Sequence, residues 1–129
     1  MLQWPPGNGV SVSLVARIGP GRFGPRYIFP QVYRRSLPGR ELYDSYVFYN
    51  DLSVESDDRQ GRLRIARRSN VFATYYWKRE RWIKIDSTRL PGVANISFDA
   101  ITEPTTFGRV DVTVAFDSFT LFATQADCS

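Results

Sequence analysis

The sequence predicts an all-β fold: a two-sheet antiparallel β-sandwich formed as a single domain over residues 1–129. Three observations carry that prediction. Apolar and polar residues alternate with period two through one run after another. Clusters of Gly, Pro, Asn and Ser punctuate the runs at hairpin spacing. No long apolar stripe recurs at the 3.6-residue period of an amphipathic helix.

The first run, VSVSLVARI over 10–18, places Val10, Val12, Leu14, Ala16 and Ile18 on one face and Ser11, Ser13, Val15 and Arg17 on the other, the pattern of a one-sided strand. Gly19 to Pro25 is then a loop. Tyr27 to Val32 predicts a second strand. Pro30 interrupts it and cannot donate to a ladder, which suits an edge or a bulge. Tyr33 to Leu42 is expected as a long polar loop with a turn at Pro38-Gly39, followed by a strand over Asp44 to Asn50 and a short one at Leu52-Ser53-Val54. Glu55 to Gly61 is a polar turn.

The stretch GRLRIARRSNVFATYYWKRERWIKID, residues 61–86, is the most regular part of the chain and predicts a three-stranded meander. Leu63 and Ile65 face one way, while Arg62, Arg64 and Arg68 lie with Ala66 on the other face. The break at Arg68-Ser69-Asn70 suits a tight hairpin, because Asn tolerates a left-handed backbone and Ser can bond its own turn. Val71 to Trp77 is apolar or aromatic on both faces and is expected to be the central strand. After the charged turn Lys78 to Arg81, Ile83 and Ile85 share one face of the third strand and Trp82 and Lys84 the other. Ser87 to Gly92 is a turn. Val93 to Ile101 forms a strand whose Ala94, Ile96, Phe98 and Ala100 could line the core. Thr102 to Gly108 is a loop. Val110, Val112, Val114 and Phe116 alternate in a last strand, and a bulge near Asp117-Ser118 returns Phe119 and Leu121 to the same face. Leu63, Ile65, Val12, Leu14, Val112, Val114 and Phe116 are the expected core.

A chain of 129 residues with 43% hydrophobic content is long enough to bury a core of its own. Its first residues carry neither a basic n-region nor an apolar h-region, so the chain as given has no signal peptide, and no apolar run reaches the roughly 20 residues of a membrane span.

In order, LRIARRSNVFATYYW, RWIKI and VDVTVAFDSFTLF resemble the C-terminal half of a concanavalin A-like lectin/glucanase domain, especially the poorly characterised versions in large secreted bacterial proteins. The resemblance covers about the last half of the chain. It implies a jelly-roll sandwich in an extracellular protein. Complete domains of that superfamily are longer, so it also implies a minimal or N-terminally truncated version. The function implied is a non-catalytic module that binds carbohydrate or another surface. A structural or protein-interaction module is the alternative, and a glycoside hydrolase-like domain comes third.

The side chains bear on these alternatives. Seventeen Lys and Arg against thirteen Asp and Glu give a net charge of +4. A solvated face accounts for many such charges. Arg62, Arg64 and Arg68 in one row could instead hold an acidic polysaccharide; nucleic acid is the weaker partner, because no RNP-like or OB-type signature accompanies them. Tyr75, Trp77 and Trp82 are the candidate platforms, since sugar rings stack C–H patches on aromatic faces while guanidinium forks bind the polar groups. The competing reading for each ring is burial in the core. For hydrolysis the superfamily places carboxylates on one strand as E-x-D-x-x-E. The nearest string, Glu55 to Gln60, ends in Gln and is polar throughout, so no enzyme is expected. The chain has no His and a single cysteine, Cys128, which excludes His-dependent triads, a zinc cluster and an internal disulfide. Asn50-Asp51 and Asp57-Asp58 do not have the spacing of a calcium loop, and no cofactor or metal is expected. Asn95-Ile96-Ser97 matches the glycosylation acceptor pattern but falls within a strand.

Overall fold

A computed structural model describes residues 2–3, 9–19, 29–47 and 49–102, together with positions 118, 120 and 122. Within these residues the chain is all-β, without a helix. Ten strands are formed: β1 (Leu2–Gln3), β2 (Val10–Ile18), β3 (Gln31–Leu37), β4 (Arg40–Val47), β5 (Asn50–Glu55), β6 (Gln60–Gly61), β7 (Leu63–Arg68), β8 (Val71–Lys78), β9 (Arg81–Arg89) and β10 (Ala94–Thr102). They make a five-stranded antiparallel sheet in the order β10-β2-β3-β4-β5, a three-stranded one in the order β7-β8-β9, and a short β1-β6 pair. The expected strand at Val110, with Val112, Val114 and Phe116, and Cys128 lie outside the described residues.

The two larger sheets face each other. β7 packs across β2 and β3, and β9 across β4 and β5. The chain therefore passes from one sheet to the other after β5 and returns after β9, where β10 pairs along the full length of β2 from Ala94↔Ile18 to Thr102↔Val10.

Three zones hold the sheets together. At one end Ala16, Phe72 and Leu90 form a buried apolar cluster, with Ile18, Ile65 and Ala94 packed against it. In the middle, the hydroxyls of Ser45 on β4 and Thr74 on β8 are 2.6 Å apart and buried. At the other end Tyr43 of β4 stacks on Tyr76 of β8 with ring centroids 4.6 Å apart. Gly61 passes so close to the Tyr43 hydroxyl that a Cβ there would collide with it.

Several expectations need correction. Residues 33–42 are not a loop: β3 and β4 run through them, and only Pro38-Gly39 turns, with Gly39 at φ 69°. The strand was hidden because its inward side chains are polar, Arg34 and Ser36 being buried beside Val32. Pro30 is not on an edge strand. It sits just before β3, between β2 and β4, and its carbonyl accepts the Ala16 N–H at 2.9 Å. β2 is not one-sided, because Ser13 and Val15 are buried on the face opposite Val12 and Ala16. Val12 is in the core as expected, whereas Leu14, Leu63 and Ile65 are half-buried. β10 lines little of the core: Ile96 and Phe98 remain about 40% exposed. A bulge interrupts β9, where Thr74 pairs with Asp86 and Tyr75 with Lys84, leaving Ile85 as the extra residue.

Candidate functional site

Two surfaces of the sandwich concentrate charged and aromatic side chains. The first is the outer face of the three-stranded sheet. Its three strands are held by two tight hairpins, with Ser69 at φ 53° in one and Arg79 and Glu80 at φ 50° and 61° in the other. Both residues of the second turn are in the left-handed region that matches the twist of paired strands. The resulting register sets Arg64 opposite Tyr75, Tyr75 opposite Lys84, and Trp77 opposite Trp82. The bulge at Ile85 matters here, because it resets the parity of β9 and leaves Trp82 and Lys84 on the same face as Tyr75 and Trp77.

On that face the guanidinium carbon of Arg64 lies 5.7 Å from the Tyr75 ring centroid and 5.6 Å from that of Trp82. Arg62 lies 5.4 Å from the Trp77 ring, and Trp77 meets Trp82 edge-on at 5.1 Å. All three arginine–ring pairs are within the roughly 6 Å reach of cation–π attraction. Arg62 is held in place by its own carbonyl, which accepts the Trp77 N–H at 3.1 Å. The three rings are half-buried, while Arg62, Arg64 and Lys84 are exposed. Among the described residues no carboxylate pairs with Arg62, Arg64 or Lys84; Lys78, at the end of β8, is directed instead at Asp57 (3.6 Å) and Asp58 (3.9 Å).

Five of the six residues singled out in the sequence, Arg62, Arg64, Tyr75, Trp77 and Trp82, are therefore brought together. Arg68 is not: it pairs with Val71 at the far end of the hairpin.

The second surface is the outer face of the five-stranded sheet, which sequence reasoning missed. Asp44 is fully buried there, with Arg35 Nε 3.1 Å from its Oδ2, and Arg35 also donates to the Tyr33 hydroxyl at 2.8 Å. Burial pushes the Asp44 carboxyl above its ordinary value, against the opposing effects of the Ser53 hydrogen bond and the Arg35 charge. Tyr33 is likewise raised, first by burial and then by Asp44. Beside them Arg17 donates to Asp99 at 2.7 Å and to the Ser97 hydroxyl at 3.2 Å, tying β2 to β10. Here each arginine already has a carboxylate. The only signal in the sequence was the alternation of Tyr33 and Arg35, which the polar composition of that stretch concealed.

The carboxylates of the string Glu55 to Gln60 do not share one strand. Glu55 ends β5 and pairs with Arg40 at 2.9 Å, while Asp57 and Asp58 belong to the crossover. Among the described residues no group of three or more His, Cys, Asp or Glu is placed to hold a metal ion, and no helix is long and apolar enough to cross a membrane. Comparison with known proteins found no matching family model, curated protein or solved structure.

Proposed function

We propose that this chain is a non-catalytic binding module of an extracellular protein, a jelly-roll sandwich of the concanavalin A-like kind, which holds carbohydrate on the outer face of β7-β8-β9. The observation that carries this reading is the placement of Arg64 over both Tyr75 and Trp82, with Arg62 over the adjoining Trp77. Half-exposed rings and unpaired guanidinium groups on one rigid sheet are the components that sugar recognition uses. Strands also fix side chains more firmly than loops do, so the array is preorganised.

The test is retention on immobilised glycans, comparing the wild type with Trp77→Ala and Tyr75→Ala, each variant first shown to be folded by its unfolding midpoint. Retention by the wild type and its loss in both variants supports the reading. Equal retention by all three proteins defeats it.

A protein-interaction module is the second reading, favoured by exposed apolar side chains on β10 and the residue leading into it. Val93 is 79% exposed and Ile101 55%, beside Ile96 and Phe98. Apolar side chains left exposed on a folded surface are the usual mark of contact with another protein. A Phe98→Lys variant that abolishes capture of a protein partner, with glycan retention absent throughout, would favour it.

A further inference from the structure

We infer that the ligand of this face is a polyanionic polysaccharide, gripped at its sulfate or carboxylate groups by the N–H edges of Arg62 and Arg64 rather than by its sugar rings on the aromatics. The inference rests on the reading that the outer face of β7-β8-β9 is a binding surface.

A guanidinium group offers two chemically different surfaces. Its flat faces are weakly hydrated and settle on aromatic rings, while its five N–H bonds point outward in the plane and need acceptors. Here Arg64 lies within cation–π reach of Tyr75 and Trp82, and Arg62 of Trp77. Their N–H bonds are open, since among the described residues no side chain or carbonyl accepts from either arginine. A guanidinium drawn to a ring, with its N–H bonds open, is available for a bidentate bond to a carboxylate or sulfate.

The same arrangement selects against other ligands. A neutral pyranose would have to displace a guanidinium to reach the ring beneath it. A single-stranded nucleic acid faces the same obstacle, because sequence-tolerant binding of single strands relies on bases stacking on free aromatic faces. The charges are spaced for a polymer: Arg62 and Arg64 are two residues apart, about 7 Å in extended backbone. Lys84 adds a third cation on the far side of Tyr75, in the row Arg64-Tyr75-Lys84.

The deciding experiment measures affinity for heparin, polygalacturonate, dextran and a single-stranded oligonucleotide at about 150 mM salt, where exposed charges are screened beyond ~8 Å. The wild type is compared with the charge-preserving double variant Arg62→Lys/Arg64→Lys. The expected result is binding to heparin or polygalacturonate and not to dextran, weakened about tenfold in the double variant, because a bidentate fork has become a point charge. If the double variant does not fold, competition on the wild type decides instead: soluble polyanion should displace bound heparin and dextran should not. Unchanged affinity of a folded double variant overturns the inference. So does tighter binding to the oligonucleotide than to heparin. Dextran bound as well as heparin, and lost on Trp77→Ala, overturns the inference while leaving the binding face in place. No binding to any of the glycans overturns both.

Discussion

The chain brings arginine to aromatic rings in two settings. Inside the sandwich, Arg34 lies 4.9 Å from the Tyr43 ring, which stacks in turn on Tyr76. On the outside, Arg64 lies over Tyr75 and Trp82. Both arginines are within cation–π reach of their rings, and the surroundings are opposite. Arg34 is 1% exposed; its Nη2 donates to Glu41 at 2.9 Å and to the Asp58 carbonyl at 2.8 Å, and the Ser36 hydroxyl donates to the second Glu41 oxygen at 2.6 Å. Burial pulls the Arg34 guanidinium below its ordinary pKa, and the negative groups around it resist that pull. Arg64 has solvent in place of a carboxylate. A buried guanidinium must be neutralised by the fold itself, at a desolvation cost that only close partners offset. An exposed one can keep its hydrogen-bonding capacity for something else. The inner unit is therefore a clamp, fastening the crossover at Asp58 to β3 and β4, and the outer one is available to a ligand.

That contrast can be broken or sharpened by experiment. The largest effect is expected from Glu41→Ala, which removes the carboxylate 2.9 Å from the buried Arg34. The loss should be about 3–5 kcal/mol in a denaturant titration. If Glu41→Ala costs no more than an average surface change, the clamp does not exist.

Next is Gly61→Ala, which drives a methyl group into the Tyr43 hydroxyl. Overpacking of this kind costs about 1–3 kcal/mol, and the variant's thermal midpoint measures it. The effect should shrink in a Tyr43→Phe background, where the colliding oxygen is gone.

The third concerns pH. Burial pushes the Tyr43 phenol up to about 12 from an ordinary value of 10.0. Between those values the unfolded chain releases the proton while the folded chain keeps it, so stability falls as pH rises from 10 towards 12, by up to about 1.4 kcal/mol per pH unit. Urea midpoints across that range should decline more steeply in the wild type than in Tyr43→Phe.

The smallest is Arg64→Ala. An exposed cation–π contact is worth about 0.5–1 kcal/mol, so the unfolding midpoint should barely move while retention on the polyanion falls. A large destabilisation would show that the outer array, too, is a structural clamp.

The outer array was legible in the sequence because strand parity alone assigns it. Arg62 and Arg64 share a face, as do Tyr75 and Trp77, and a short hairpin at Ser69-Asn70 leaves few ways to register them. Trp82 and Lys84 join by the same rule up to the bulge at Ile85, which nothing in the local sequence announces. The inner array was not legible. Arg34, Glu41 and Asp58 are polar residues of the kind that mark loops, and Arg34 becomes interior only because it meets the other two from separate segments. β3 was lost for that reason. The apparent interruption at Pro30 compounded it, although the proline stands just outside the ladder. Asp44 and Ser13 were overlooked in the same way, since a buried carboxylate on a sheet's outer face depends on neighbours such as Tyr33 and Arg35 that only pairing reveals.

The pairing of β10 with β2 has a kinetic consequence. β2, β3, β4 and β5 can zip together as soon as residue 55 is available, because each pairs with the strand that follows it in sequence. The other edge of β2 must wait for a strand that begins at Ala94, a separation expressed by the bond between Arg17 and Asp99. Closing so long a loop has an entropic cost incurred before any contact rewards it, so this step should be among the slowest in folding. During chain synthesis at ~5–20 residues per second, the open edge of β2 would stand exposed for several seconds. In that interval the nascent sheet offers a second nascent chain the same ladder of N–H and C=O groups that β10 later occupies, which makes this edge the natural starting point for misassembly.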